Sequence, residues 1–367
     1  MIQKLSDHKI KTLNRISPSQ YYSAISCPYK LVLANSFGYE TLLPLNANAH
    51  FGSVIHKMIE LISKGIINSE ATFSENWADL IHKKEEELKM KGLASITPLK
   101  YFVSDFALKK NQEKTILKKK QEKLSQVSNS SSSKYYPEKR LENSNKSITG
   151  IADLIIENDL GTTILDFKTG KIFSDAIDES GATEQVIKKE YEVQLKLYAH
   201  LYFLMTGKYP KSLFIVTLFN DFIKVEFQNS DCEKIYSDAL DFLASTNSYI
   251  KNDNLASIAN PSLDNCKYCS YRPVCEFYSE WLTVNFNEVN DLFGLIINVN
   301  QFGNNTLGLQ LQIQDKQVLI NGLPIETKSD FESLIGKNVI LYNLKKSRQS
   351  LNATANSFTV VYEKQSR

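Results

Sequence analysis

Two short apolar runs separated by a tight polar turn constrain this chain more than any other feature. Residues 148–157 and 162–168 alternate with the period of a strand, and Asn158-Asp159-Leu160-Gly161 lies between them. A two-residue loop pairs 158 with 161, and a four-residue loop pairs 157 with 162; either register sets Asp153 opposite Asp166. Opposed residues on paired strands have Cβ atoms ~5 Å apart, where like charges are destabilising. A divalent cation between the two carboxylates would reverse that penalty. Alternation puts Lys168 on the face of Asp166, with Leu165 and Phe167 on the other.

That arrangement has a chemical use. Hard carboxylate oxygens hold Mg²⁺ or Mn²⁺, which lowers the pKa of bound water and stabilises charge on a phosphodiester. A lysine beside them can orient the water and offset growing negative charge. The plainer reading is a solvated strand face with two acids and a base, but apolar residues crowd these charges on both sides.

The 367 residues can bury a substantial core and suggest two or three domains. With 42% apolar and 23% charged residues the chain is globular in composition, and its net charge of +2 confines nucleic-acid contact to local basic patches. The first residues lack the apolar core of a secretory signal, and no apolar run reaches the ~20 residues of a membrane span. A cytoplasmic protein is expected, in which stable disulfides are disfavoured.

Residues 16–64 read as mainly helical from Ser17-Pro18-Ser19, with a second helical stretch from Phe51-Gly52 to Ile62. Residues 76–126 read as a lysine- and glutamate-rich helical region. Its Lys109, Lys110, Lys114, Lys118, Lys119, Lys120 and Lys123, partly countered by Glu113 and Glu122, form a solvated face or follow a phosphate backbone. A flexible serine-rich linker is expected at 128–133. An amphipathic helix over 190–205 stops at Gly207, a buried strand follows at 212–219, and 233–250 is helical. After 285 the chain reads as all-β, with strands at 292–299, 306–314, 316–320, 338–344 and 357–363 and a short helix at 329–335. That is the order of an OB-like barrel. Such a module could bind single strands, contact a protein or simply pack. The expected segments are 1–134 (helical), 135–284 (the mixed core with the cysteines) and 285–367 (the OB-like domain).

Cys266-x2-Cys269-x5-Cys275 offers three thiolates, one short of a tetrahedral site, and Cys27 is the natural fourth. Four thiolates suit zinc or a 4Fe–4S cluster, and spacing alone does not decide between them. Cys232 stands apart as a helix thiol.

Together these residues resemble the PD-(D/E)XK nuclease superfamily, specifically its RecB-like branch. Asp153 followed by Asp166-Phe167-Lys168-Thr169-Gly170 matches the D…DxKTG core, Gln194-Leu-Lys-Leu-Tyr198 matches QxxxY, and Gly52-Ser-Val-Ile-His56 matches GxxxH. The resemblance covers about residues 16–280. It implies a restriction-endonuclease-like α/β fold, a mixed sheet core flanked by helices. It implies catalytic roles for Asp153, Asp166, Lys168, Gln194 and Tyr198, with metal ligation by His56, Asp153, Asp166 and Phe167. The family's additional acid falls on Glu138 or Glu142. One early cysteine plus a late CxxC-x5-C is similar to the iron–sulfur pattern of AddB-type nucleases and CRISPR-associated RecB-like exonucleases. This implies a 4Fe–4S cluster on Cys27, Cys266, Cys269 and Cys275, with zinc as the alternative, holding the N-terminal helices against the core. The implied activity is a Mg²⁺- or Mn²⁺-dependent exonuclease or flap-type nuclease on DNA ends or single strands, in repair, recombination or defence. No Walker A sequence is present, so a separate helicase or repair or defence complex would supply any motor. The rival reading is a non-catalytic DNA-binding or scaffold subunit of a helicase–nuclease or CRISPR adaptation complex.

Overall fold

The computed structural model describes residues 1–3, 8–126, 133–168, 170–177, 183–217, 221–346 and 352–364. Most of the serine-rich stretch expected as a linker, together with Thr169 and Phe219, lies outside these residues. So do the side chains of Lys119, Lys120, Glu122 and Lys123. The contacts divide the chain into two compact units that interleave in sequence. One holds 13–25 and 47–248; the other holds 1–12, 26–46 and 249–367.

The first unit is a mixed α/β fold around a five-stranded sheet. Its order is Lys134–Glu142, Thr149–Asn158, Gly161–Lys168, Ser212–Thr217, Phe222–Val225. The first three strands form an antiparallel meander, and the third runs parallel to the fourth. Parallel neighbours need a crossover, supplied here by the helix Lys189–Thr206. That helix ends at Gly207, whose φ of +75° is the left-handed conformation a glycine cap adopts cheaply. The central strand Gly161–Lys168 is covered on both faces, since Ile164 and Asp166 are as buried as Leu165 and Phe167. A buried acid in a strand of that kind must find partners or neutralise. The helix Ala47–Ser63 lies against the edge strand Lys134–Glu142, and Phe106–Gln126 packs on that helix in turn.

In the second unit Leu292–Gln301, Thr306–Ile313 and Lys316–Pro324 form an antiparallel meander, followed by the helix Lys328–Glu332. Asn338–Tyr342 returns to pair with Leu292–Gln301. Ala353–Thr354 then runs parallel to the third strand, and Val360–Glu363 antiparallel to the fourth. One stretch of chain thus joins the third and fourth strands. Ile2–Gln3 adds a further parallel strand beside Val360–Glu363.

This division differs from the consecutive segments 1–134, 135–284 and 285–367. Cys27, Cys266, Cys269 and Cys275 all fall in the unit of the eight-stranded sheet. The reason is packing: Cys266, Tyr278 and Leu282 belong to the same apolar cluster as Leu292, Leu309 and Val339. Of the N-terminal helices, Pro28–Ser36 shares a unit with the cysteines, whereas Pro18–Ile25 and Ala47–Ser63 do not.

Candidate active site and cysteine pocket

The hairpin pairs Asn158 with Gly161 and Glu157 with Thr162, and the ladder continues in that register to Leu154 and Leu165. Asp153 and Asp166 are the next positions along. Asp153 Oδ2 accepts a hydrogen bond from the Phe167 main-chain N–H at 2.7 Å, so its side chain crosses to the neighbouring strand. Asp166 is only 3% exposed. Its Oδ1 accepts from Gln194 Nε2 at 2.8 Å, and its Oδ2 lies 2.7 Å from Lys168 Nζ. Lys168 Nζ also donates to Gln194 Oε1 at 3.0 Å. Asp166, Lys168 and Gln194 therefore close a three-membered ring of polar contacts in a buried place.

The electrostatics follow from this crowding. Burial raises the Asp153 pKa, and the neighbouring Asp166 charge raises it further. Burial also raises Asp166, against the opposing pull of Lys168. His56 is lowered by burial and by the Lys168 charge, which keeps its imidazole neutral with a lone pair to give. A half-buried and a buried carboxylate with a neutral imidazole are hard and borderline donors that suit a divalent cation. Phe167 buries its side chain on the opposite face, so only its main-chain carbonyl is available to a metal.

Tyr198 donates from its hydroxyl to the Ile151 carbonyl at 2.8 Å, joining the crossover helix to the Asp153 strand. The close approach depends on Gly150. A Cβ there would stand 2.9 Å from the Tyr198 ring and 2.7 Å from Pro18 Cδ.

Two residues went unassigned or undecided in the sequence. Lys168 Nζ sits 4.8 Å from the centroid of the Tyr191 ring. Tyr191 precedes Gln194 by three and Tyr198 by seven, so helical spacing alone puts all three on one face. Of the two acids offered before the core, Glu138 is the one beside the site. The ladder brackets it between Pro137–Leu154 and Lys139–Ala152, which sets it across from Asp153, whereas Glu142 pairs with Thr149. Glu138 has φ of +51°, a strained value for a residue with a Cβ. Burial raises its pKa, and Glu60 raises it further.

The lysine-rich helix departs from the expected solvated face. Lys109, Lys110 and Lys114 hold their ammonium groups over the rings of Phe51, Trp77 and Phe73. Glu113, expected to counter them, is 0% exposed, and its carboxyl oxygens accept no hydrogen bond from the described residues. Burial pushes its pKa up to about 8.

Cys27, Cys266, Cys269 and Cys275 line one pocket together with Tyr29, Lys30 and Arg272. All five cysteines are free of disulfides. Burial pushes Cys266 up to about 11 and Cys275 up to about 12, and neighbouring thiols add to both shifts. Four soft donors on one pocket fit a thiolate-bound metal centre, whose positive charge would offset those shifts. As the side chains stand, no group of three or more His, Cys, Asp or Glu among the described residues is arranged to hold a metal ion. No helix among them is long and apolar enough to cross a membrane.

A family model of the PD-(D/E)XK nuclease superfamily matches residues 15–276. A solved structure titled "Crystal structure of SSO0001" is similar at 16% identity and a TM-score of 0.22, covering 53% of this chain and 79% of that one. No curated protein sequence matches the chain. The family match takes in more than half of the chain, including both strands of the carboxylate hairpin, the crossover helix and all four pocket cysteines, and on that basis the chain belongs to the PD-(D/E)XK nuclease superfamily.

Proposed function

We propose that this protein is a Mg²⁺- or Mn²⁺-dependent deoxyribonuclease, an exonuclease or flap-type nuclease that hydrolyses phosphodiesters at DNA ends or in single strands. The observation that carries the reading is the closed set at the hairpin, with Asp153 beside the Phe167 amide and Asp166 tied to Lys168 and Gln194. His56, Asp153, Asp166 and the Phe167 carbonyl would hold the cation, which when bound supplies Lewis acidity and an activated water. Lys168, held by Asp166 and Gln194, offsets negative charge growing on the phosphate. Gln194 sets the direction of the ammonium, and Tyr198 fixes the Asp153 strand to the crossover helix. Glu138 contributes a further carboxylate beside Asp153.

The four pocket cysteines are read as ligands of a 4Fe–4S cluster, with zinc as the competing occupant. Anaerobically purified protein should then be brown, with broad absorbance near ~400 nm from thiolate-bound iron. Colourless protein carrying stoichiometric zinc would decide for the alternative. The proposed site of action is the cytoplasm, where a separate helicase or a repair or defence complex would open the duplex.

The activity is tested with end-labelled single- and double-stranded DNA in the presence of each metal. Release of short products from one end supports an exonuclease. Cutting of covalently closed single-stranded circles as fast as linear strands would exclude the dependence on ends. DNA binding without cleavage in either metal would leave the scaffold reading in its place.

A further inference from the structure

Arg272 lies between Cys269 and Cys275, is only 5% exposed, and is not among the residues of the proposed carboxylate site. Its guanidinium is divided between two sets of partners. On one side Nη1 donates to the carbonyls of Cys266 at 2.6 Å, Lys267 at 3.0 Å and Cys269 at 3.1 Å. On the other, Nη2 donates to Asn343 Oδ1 at 2.9 Å, and Nε lies 2.8 Å from Asp291 Oδ2. Asp291 is itself 2% exposed. It accepts from the Tyr278 hydroxyl at 2.5 Å and from the Asn343 main-chain N–H at 2.9 Å.

Asp291 leads into the strand Leu292–Gln301, and Asn343 follows the strand Asn338–Tyr342. One planar cation thus fastens the main chain of the cysteine loop to the two paired strands of the C-terminal sheet. Cys275 is attached at the same place: it caps the helix Glu276–Asn285, accepting from Tyr278 N, and the Tyr278 hydroxyl ends on Asp291. A buried charge with this many partners is costly to disturb, because losing one side leaves the other uncompensated.

We propose that Arg272 is the positioning residue of the cysteine pocket, setting the Cys266 and Cys269 thiols toward Cys27 and Cys275. The C-terminal sheet is accordingly part of the metal-holding module and not an appended one. This rests on reading the four cysteines as a metal site. Lysine cannot substitute, since a single ammonium does not reach three carbonyls, an amide and a carboxylate lying around a plane.

The test uses the full chain with Arg272→Lys and the milder Asn343→Ala, which removes one guanidinium partner. Iron and zinc per chain are measured on the purified proteins. Iodoacetamide labelling of each cysteine is then followed in metal-stripped, reduced protein. Amide exchange of the strand Thr306–Ile313 reports whether the sheet stays folded. In Arg272→Lys the metal content should fall at least fivefold. Labelling of Cys266 and Cys269 should rise at least tenfold, with exchange in the strand unchanged. Asn343→Ala should move both in the same direction by less, and it decides the matter if Arg272→Lys does not fold. Wild-type metal content and wild-type labelling in both variants would overturn the proposal. If the parent protein binds neither iron nor zinc, the metal reading fails by itself, and the labelling rates still decide whether Arg272 sets the loop.

Discussion

Gly150 shows how closely the site is built at the level of single atoms. Its missing Cβ leaves room for the Tyr198 ring and for Pro18, both closer than 3.0 Å to where that carbon would stand. Gly150→Ala should cost about 1–3 kcal/mol through overpacking, read as a lower urea midpoint at unchanged m-value. An unchanged midpoint would mean that the ring and the strand are not in contact. The Asp166–Lys168–Gln194 ring makes a second demand. Gln194→Leu keeps the volume but removes both hydrogen bonds, and activity should fall about 10- to 100-fold, as when a residue that orients a metal ligand is lost. Full activity in that variant would show that Lys168 needs no orienting partner. Most of these residues were legible in advance. Asp153, Asp166 and Lys168 are fixed by strand alternation and by a turn that gives the same register at either of its two admissible lengths, so their register followed from counting. Glu138 and Glu142 could not be separated in that way, because the loop 143–148 sets no unique register and Glu138 adopts a positive φ that no pattern announces.

At the scale of elements, helices illustrate what patterning conveys and what it hides. The crossover helix reads from its QxxxY spacing, and Tyr191 was recoverable from the same face. Its ring under Lys168 is worth about 0.5–1 kcal/mol in a partly exposed place. Tyr191→Phe should therefore keep near-parental rates, while Tyr191→Leu should lose about three- to fivefold; equal rates in the two would remove the ring from the account. The lysine-rich helix Phe106–Gln126 was less legible. Its charge run suggests a solvated face, yet aromatic side chains of other helices draw three of its lysines over their rings and leave Glu113 inside. An acid whose folded pKa is raised from 4.5 to about 8 keeps its proton in the folded chain while the unfolded chain gives it up. Its contribution is intact below the unfolded value and is lost as pH rises through the window up to about 8. Glu113→Gln should consequently change little at pH ~5 and stabilise by about 1–3 kcal/mol at pH ~8. Urea unfolding at the two pH values checks this, and an equal effect at both would show that the carboxyl is not held neutral.

Over the whole molecule the chain gathers its chemistry into two places, each within one compact unit. The carboxylate site belongs to the five-stranded sheet, and the cysteine pocket to the eight-stranded one. Sequence order obscured that division, because residues 26–46 leave the helical N-terminal region to join the C-terminal unit. Nothing in their hydropathy distinguishes them from their neighbours; only the tertiary packing does. The C-terminal strands themselves were legible from alternation, whereas the short pairings Ile2–Gln3 and Ala353–Thr354 are too brief to leave a pattern.

The central claim is that the hairpin carboxylates and Lys168 cleave DNA. Its most direct measurement is the rate of hydrolysis of end-labelled single-stranded DNA in Mg²⁺ or Mn²⁺ by the parent, Asp166→Ala and Lys168→Ala, each checked for an unchanged circular dichroism spectrum. The account predicts metal-dependent cleavage by the parent, abolished by EDTA, and a loss of at least about 10²-fold in both variants, the scale on which removal of a transition-state-stabilising group is felt. Variants that digest DNA as fast as the parent would contradict it.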